Sequence, residues 1–174
     1  MGQYYKAIAL DKQEWMCPHD YDNGLKLMEH SWIKNNFVSA VESLLIPGGD
    51  WHEDRIVWAG DYADPDEDNL DNLYSQYESE PKKVKIPKIS KYGPGRFIVN
   101  HTENQYIDKA TLSKDNDGWT IHPLPLLTCE GNGRGGGDYR RDNSHIGDWA
   151  RDQISIEKEK PEDFEEIIPH FTMD

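Results

Sequence analysis

Phe37-Val38-Ser39-Ala40-Val41-Glu42-Ser43-Leu44-Leu45, followed after a turn by Arg55-Ile56-Val57-Trp58-Ala59-Gly60, is the stretch that decides the fold. In the first segment Phe37, Val38, Val41, Leu44 and Leu45 fall at i, i+1, i+4, i+7 and i+8, which is one face of a helix. Pro47-Gly48-Gly49 stops it. The second segment is a short apolar run before an acidic stretch, and its length predicts a buried strand. A helix with one apolar face beside a buried strand belongs on a sheet.

Working outward, Tyr4-Tyr5-Lys6-Ala7-Ile8-Ala9-Leu10 reads as an opening strand. Asp22 or Asn23 is expected to cap a helix carrying Leu25, Met28 and Trp32, so 24–45 is a helix pair or one bent helix. Residues 61–80 read as an acidic loop with one helical turn near Leu70–Tyr74, and 81–96 as a basic connector broken by Pro87, Gly93 and Pro94. Phe97-Ile98-Val99-Asn100 and Tyr106-Ile107-Asp108-Lys109 flank His101–Gln105 as a β-hairpin. Trp119–His122 and Leu124–Cys129 read as extended runs, with Pro123 and Pro125 keeping part of them at an edge. Trp149 to Ile156 is expected to form the last strand. In the acidic tail, Phe164, Ile167, Ile168 and Phe171 have the spacing of a short helix. The expected fold is α+β: a single β-rich domain over 1–174, its antiparallel or mixed sheet covered on one face by the helix pair at about 24–45.

Composition agrees with a modest, aromatic-rich core. Leu, Ile, Val and Phe make up just under a fifth of the 174 residues, near the level at which charged chains lose their fold, but 6 Trp and 9 Tyr supply large buriable surfaces. No run of 18 apolar residues exists, which excludes a membrane-spanning helix, and the start lacks the pattern of a secretion signal. Cys17 and Cys129 cannot build a disulfide framework, so the expected setting is the reducing cytoplasm. The composition is compatible with a homo-oligomer.

The net charge of −14 is uneven. Residues 50–80 hold eleven acids against Arg55, whereas Lys82, Lys83, Lys85, Lys88, Lys91 and Arg96 follow with no acid among them. So acidic a chain is a poor general nucleic-acid binder, because that binding needs a dominant basic surface to neutralise phosphates. The acidic block reads as a solvated loop, or as a surface that docks a basic protein partner.

The strongest local signal is Cys129-Glu130-Gly131-Asn132-Gly133-Arg134-Gly135-Gly136-Gly137-Asp138-Tyr139-Arg140-Arg141. Four of the six arginines lie between Arg134 and Arg151, interleaved with Tyr139, His145 and Trp149. Glycines let backbone N–H groups converge on an anion, arginine forks match phosphate, and aromatic rings stack on bases. The candidate ligand-binding set is therefore Gly133, Arg134, Gly135, Gly136, Gly137, Tyr139, Arg140, Arg141, His145 and Trp149. The competing reading is a loop whose arginines neutralise nearby acids. Gly131-x-Gly133-x-x-Gly136 matches a dinucleotide pattern, but no amphipathic helix follows it, and a P-loop is absent.

Other pieces are weaker. Asp50-Trp51-His52 and Gly60-Asp61-Tyr62-Ala63-Asp64 resemble fragments of binuclear metallophosphoesterases, with spacing too short for the unit between them. Asp64, Asp66 and Asp68 imitate a calcium loop, but Asn69 and Ser75 stand where it needs Gly and Glu. The histidines lack metal-ligand spacing, with His30 and His101 the first to probe, and neither cysteine has a nucleophile signature. No catalytic residue, metal ligand or cofactor is assigned.

Met1-Gly2-Gln3-Tyr4-Tyr5-Lys6, Asp20–Ser31, Val57-Trp58-Ala59-Gly60-Asp61-Tyr62 and Leu126–Tyr139 together resemble a family of small uncharacterised proteins of bacteria and their phages. The resemblance runs through most of the chain and implies a single domain in a bacterial or phage cytoplasm; it brings no catalytic residues. The first functional expectation is non-enzymatic binding of a small phosphorylated, nucleotide-like ligand, such as sequestration of a host signalling nucleotide. The alternatives are an acidic protein-binding inhibitor or adaptor working through 50–80, and a metal-dependent phosphoesterase built on His52, Asp61 and Asp64.

Overall fold

The computed structural model describes residues 3–86, 91–115, 117–131 and 145–171. Strand β1 (Tyr5–Ala9) pairs with β2 (Glu14–Met16) and β3 (Arg55–Gly60), and β3 continues to β7 (Asp152–Glu157). Strand β7 then pairs with β4 (Phe97–Asn100), β4 with β5 (Gln105–Asp108), and β5 with β8 (Glu165–Glu166). The sheet order is β2-β1-β3-β7-β4-β5-β8, with the short β6 (Cys129–Glu130) also on β3. Only β3–β6 and β5–β8 are parallel, so the sheet is mixed and the domain is α+β.

Alternation along the strands builds a core on each face. Tyr5, Ala7 and Ala9 of β1, Ile56 and Trp58 of β3, and Ile154 and Ile156 of β7 join the main core under α2 (Asn36–Leu45). Ile8, Val57 and Ala59 point the other way, onto Trp15 and Tyr77. That second face is covered from the acidic loop, whose single helical turn is α3 (Leu73–Gln76). Lys6 clamps it there: its ammonium donates to the carbonyls of Tyr74 and Tyr77 and lies 4.3 Å from the Trp15 and Tyr74 rings.

Helix α2 follows its apolar stripe, begins where the Asn35 side chain accepts from Val38 N–H, and ends at Ile46 before the Pro-Gly-Gly turn. The expected start of the preceding helix is corrected. Asp22 sits in the left-handed region at φ 59°, ending a 3-10 turn over Pro18–Tyr21, and Asn23 bonds to Asn35 and Asn36 instead of capping. Helix α1 is a single turn, Leu27–His30, closed by Glu29 reaching back to Lys26 N–H. Trp32 falls outside it, in a bridge with Ile121.

Three further expectations are overturned. The run after His122 is not extended but forms helix α4 (Pro123–Leu127), with His122 accepting from Leu124 N–H. Pro123 opens it at a position whose N–H has no intrahelical partner, so the ring breaks no helical bond there. The described part of the tail, to Phe171, forms no helix: Glu165 N–H donates to Asn104 and Ile167 N–H to Tyr106, making β8 an edge strand while Phe164 packs with Phe97, Val99 and Tyr106. Trp149 lies in a turn before β7 rather than in it.

Replacing Asn35 by Ala removes the cap of α2 and should lower stability by about 1 kcal/mol, read as a shift in the urea midpoint.

Candidate functional site

Within the main core, Glu42 is the one acid on the buried face of α2. Its Oε2 takes a hydrogen bond from the Lys109 ammonium, which also donates to the Tyr92 and Gly95 carbonyls at 2.8 Å. Its Oε1 accepts from His122 Nε2 at 3.0 Å. Because His122 Nδ1 accepts from Leu124 N–H, the ring is the neutral Nε2–H tautomer. Burial works against the Glu42 carboxylate, but Lys109 and then His122 outweigh it and hold the group below its ordinary range. Burial lowers His122, which keeps it neutral, and also Lys109, where Glu42 opposes the shift. Every donor of this ammonium has an acceptor.

Lys109 is also part of the wall of a cavity of about 580 Å³, a volume that suits a small organic ligand. The chain builds the cavity from pieces far apart in sequence. Ile33 N–H donates to Thr120 and His122 N–H to Ser31, and this short strand-like pairing sets Trp32 beside Trp119. The two rings lie 5.7 Å apart at 58°. Trp32 is held by its indole N–H on Met28, and Trp119 by a turn in which Asp115 accepts from the backbone of Asp117 and Trp119. Gly118, at φ +86°, makes that turn possible. Trp119 stays 59 % exposed, an unusual surface for so large a ring. Opposite lie Lys91 and Tyr92, the Lys91 ammonium 5.3 Å from the ring.

Among the described residues four lysines line this cavity, Lys34, Lys91, Lys109 and Lys114, and no carboxylate does. Lys109 is neutralised by Glu42. The other three are exposed and have no acidic partner among the described residues. In a chain with 33 acids, that segregation is the electrostatic signature of the site.

Of the glycine- and arginine-rich set, only His145 and Trp149 belong to the described residues. Gly133, Arg134, Gly135, Gly136, Gly137, Tyr139, Arg140 and Arg141 lie outside the described residues. His145 pairs with Asp148 at 3.0 Å. Trp149 offers no face for stacking: it is 1 % exposed, and its indole N–H is spent on Gln105. Arg151, the last of the four arginines, forks onto Glu130 and Asp66, as the neutralising-loop reading expects of it.

The metal reading fails on distance. His52 precedes β3 and Asp61 follows it, so the strand separates them by roughly 17 Å at about 3.3 Å per residue. Among the described residues no group of three His, Cys, Asp or Glu side chains is arranged to hold a metal. His52 bonds Glu157, while His101 Nε2 lies 2.7 Å from Ser155 Oγ and its Nδ1 3.2 Å from Glu53. That order of serine, imidazole and carboxylate has catalytic precedent, but Ser155 is fully buried in β7 and no substrate reaches it. Cys129 is buried and pushed up to about 12, an inert thiol. No helix among the described residues is long and apolar enough to cross a membrane.

The cavity residues escaped sequence reading because 32–34, 91–92 and 109–120 meet only through tertiary pairing. One signal was available: Glu42 interrupts the stripe of Val38 and Leu45, and a lone acid there demands a buried cation. Comparison with models of known protein families, with curated proteins and with solved structures finds no match to this chain.

Two outcomes test this geometry. Lys109→Met leaves the Glu42 charge buried and should cost about 3–5 kcal/mol in urea unfolding, whereas Glu42→Leu with Lys109→Met should recover most of that loss. His30, buried with Nδ1–H on Gly24 and Nε2 accepting from Trp58, is pushed down to about 4 by burial. Between pH 6.5 and 4 the unfolded chain holds a proton that the folded protein does not. Stability is therefore complete above pH 6.5 and this group drains about 3 kcal/mol of it as pH falls to 4, which urea midpoints across that range will show.

Proposed function

We propose that this protein binds a small phosphorylated, nucleotide-like molecule without turning it over, in the cavity between Trp32, Tyr92 and Trp119. The observation that carries the reading is three acid-free lysines, Lys34, Lys91 and Lys114, around an exposed indole in a chain of net charge −14. An isolated indole on a surface supports stacking of a flat ring. Lysines with no acid to pair with support an anion, since each ammonium is a strong, compact donor. A ligand that carries both, a ring and phosphate, uses every one of these groups. Among the described residues no carboxylate or imidazole is free to act as a general base at the cavity: Glu42 and His122 are spent on one another and on Lys109. That supports binding rather than catalysis.

The reading takes the ligand class expected from the glycine- and arginine-rich segment, most of which lies outside the described residues, and assigns it to this cavity. Taken with the resemblance to small bacterial and phage proteins, it extends to capture of a signalling nucleotide, a task that needs affinity and no turnover.

The test is a thermal-shift and tryptophan-fluorescence screen against nucleosides, mono-, di- and triphosphates and dinucleotides. A ligand at 100 times its Kd should add about 2.7 kcal/mol of stability and quench emission from Trp119. Trp119→Ala should abolish the shift, and Lys91→Ala or Lys114→Ala should each weaken binding about tenfold, roughly 1.4 kcal/mol. If no member of the panel moves the melting temperature, the reading falls.

A further inference from the structure

The charges lining the cavity also bear on the state in which a nucleotide is held. In solution a nucleoside polyphosphate travels largely with Mg²⁺, and a protein that binds the complex characteristically offers the metal a carboxylate, with substrate phosphate and water completing an octahedron. Among the described residues this lining has no carboxylate to offer. The nearest buried acid, Glu42, has one oxygen on Lys109 and the other on His122. Asp115, on the turn that carries Trp119, uses Oδ1 to accept two backbone N–H groups and does not line the cavity. A divalent cation brought in on the phosphates would instead sit among Lys34, Lys91 and Lys114, where like charges repel.

We propose that the cavity takes its nucleotide as the metal-free polyphosphate anion, the three lysine ammonium groups supplying the neutralisation that Mg²⁺ supplies in solution. The proposal rests on the nucleotide reading of this cavity and specifies the ionic form of the ligand. Two consequences follow from the charge count. Affinity climbs from nucleoside through monophosphate to triphosphate, because each added phosphate meets an unmatched cation. Binding also weakens steeply with salt, as it does wherever lysines displace counterions from phosphates.

The experiment uses the full chain and titrates adenosine, AMP, ADP and ATP by calorimetry, once with EDTA and once with excess Mg²⁺. The expected result is ATP binding at least tenfold tighter in EDTA than in Mg²⁺, with the order ATP, ADP, AMP, adenosine in EDTA. Lys91→Ala and Lys114→Ala, checked for unchanged melting temperature without ligand, should weaken ATP in EDTA and shrink the difference between the two buffers. Equal or tighter binding in Mg²⁺ overturns the metal-free proposal and leaves the cavity as a nucleotide site. AMP binding as tightly as ATP overturns it in the same way. Absence of binding by all four compounds in both buffers, repeated with guanine, cytosine and uracil counterparts, overturns the proposal together with the nucleotide reading.

Discussion

A single buried carboxylate constrains how this architecture closes. Glu42 projects from α2 into the core, where an isolated charge would be prohibitive, and three parts of the chain must arrive to make it tolerable. Lys109 comes from the end of β5, His122 from the start of α4, and the loop of Tyr92 and Gly95 supplies carbonyls to finish the ammonium. Each proton in the cluster has one place to go. His122 gives one N–H to Glu42 and turns its other nitrogen to the first turn of α4, so the same ring neutralises a core charge and starts a helix. Such a cluster adds little net stability compared with apolar packing, but it punishes any arrangement in which one partner is missing. Gly93 belongs to the same constraint: its φ is +71°, and a Cβ there would lie 3.1 Å from Glu42 Oε1.

The cavity follows from that closure. Once the 92–95 loop is drawn down onto Lys109 and residues 120–122 are drawn in by His122, Lys91, Tyr92 and Trp119 are left facing one another over Lys109. The buried charges are thereby removed from ligand chemistry while they fix the walls. What faces outward is the remainder: lysines with no acidic partner among the described residues and the exposed indole of Trp119. Rigid positioning of this kind lowers the ordering cost of binding.

Elements whose signal is local were legible in the sequence, and those whose partners come from afar were not. Helix α2, strand β3 and the β4–β5 hairpin follow from periodicity and turn residues alone, and the structure places them within a residue or so. Pro123 and Pro125 misled because proline excludes helix interiors yet fits the first turn, and only the cap from His122 distinguishes the cases. Phe164, Ile167 and Phe171 have helical spacing, but open hydrogen bonds along β5 win the backbone, and the apolar residues are shared between the two faces of the sheet. Cations beside rings were legible in the sequence as a pattern over Arg134–Arg151. The cavity was not, since Trp32 and Trp119 become neighbours only through the Ile33–Thr120 and Ser31–His122 hydrogen bonds.

Net charge and site charge act on different length scales here, and that separates how a ligand arrives from how it is held. At physiological ionic strength the field of an exposed charge fades over about 8 Å, so the acids of the 61–80 loop do not cancel lysines that line a cavity elsewhere. Several of those acids are also fixed locally, Asp66 by Arg151 and Asp61 by the Tyr4 N–H. An approaching anion gains no long-range attraction from a chain of net charge −14 and meets favourable potential only at the cavity mouth. For the ligand proposed above, affinity would therefore come from contact: ammonium against phosphate at close range, and ring against ring where water is displaced. Such a site would discriminate by shape and stacking as well as by charge, because a polyanion without a flat ring would leave the exposed Trp119 indole wet.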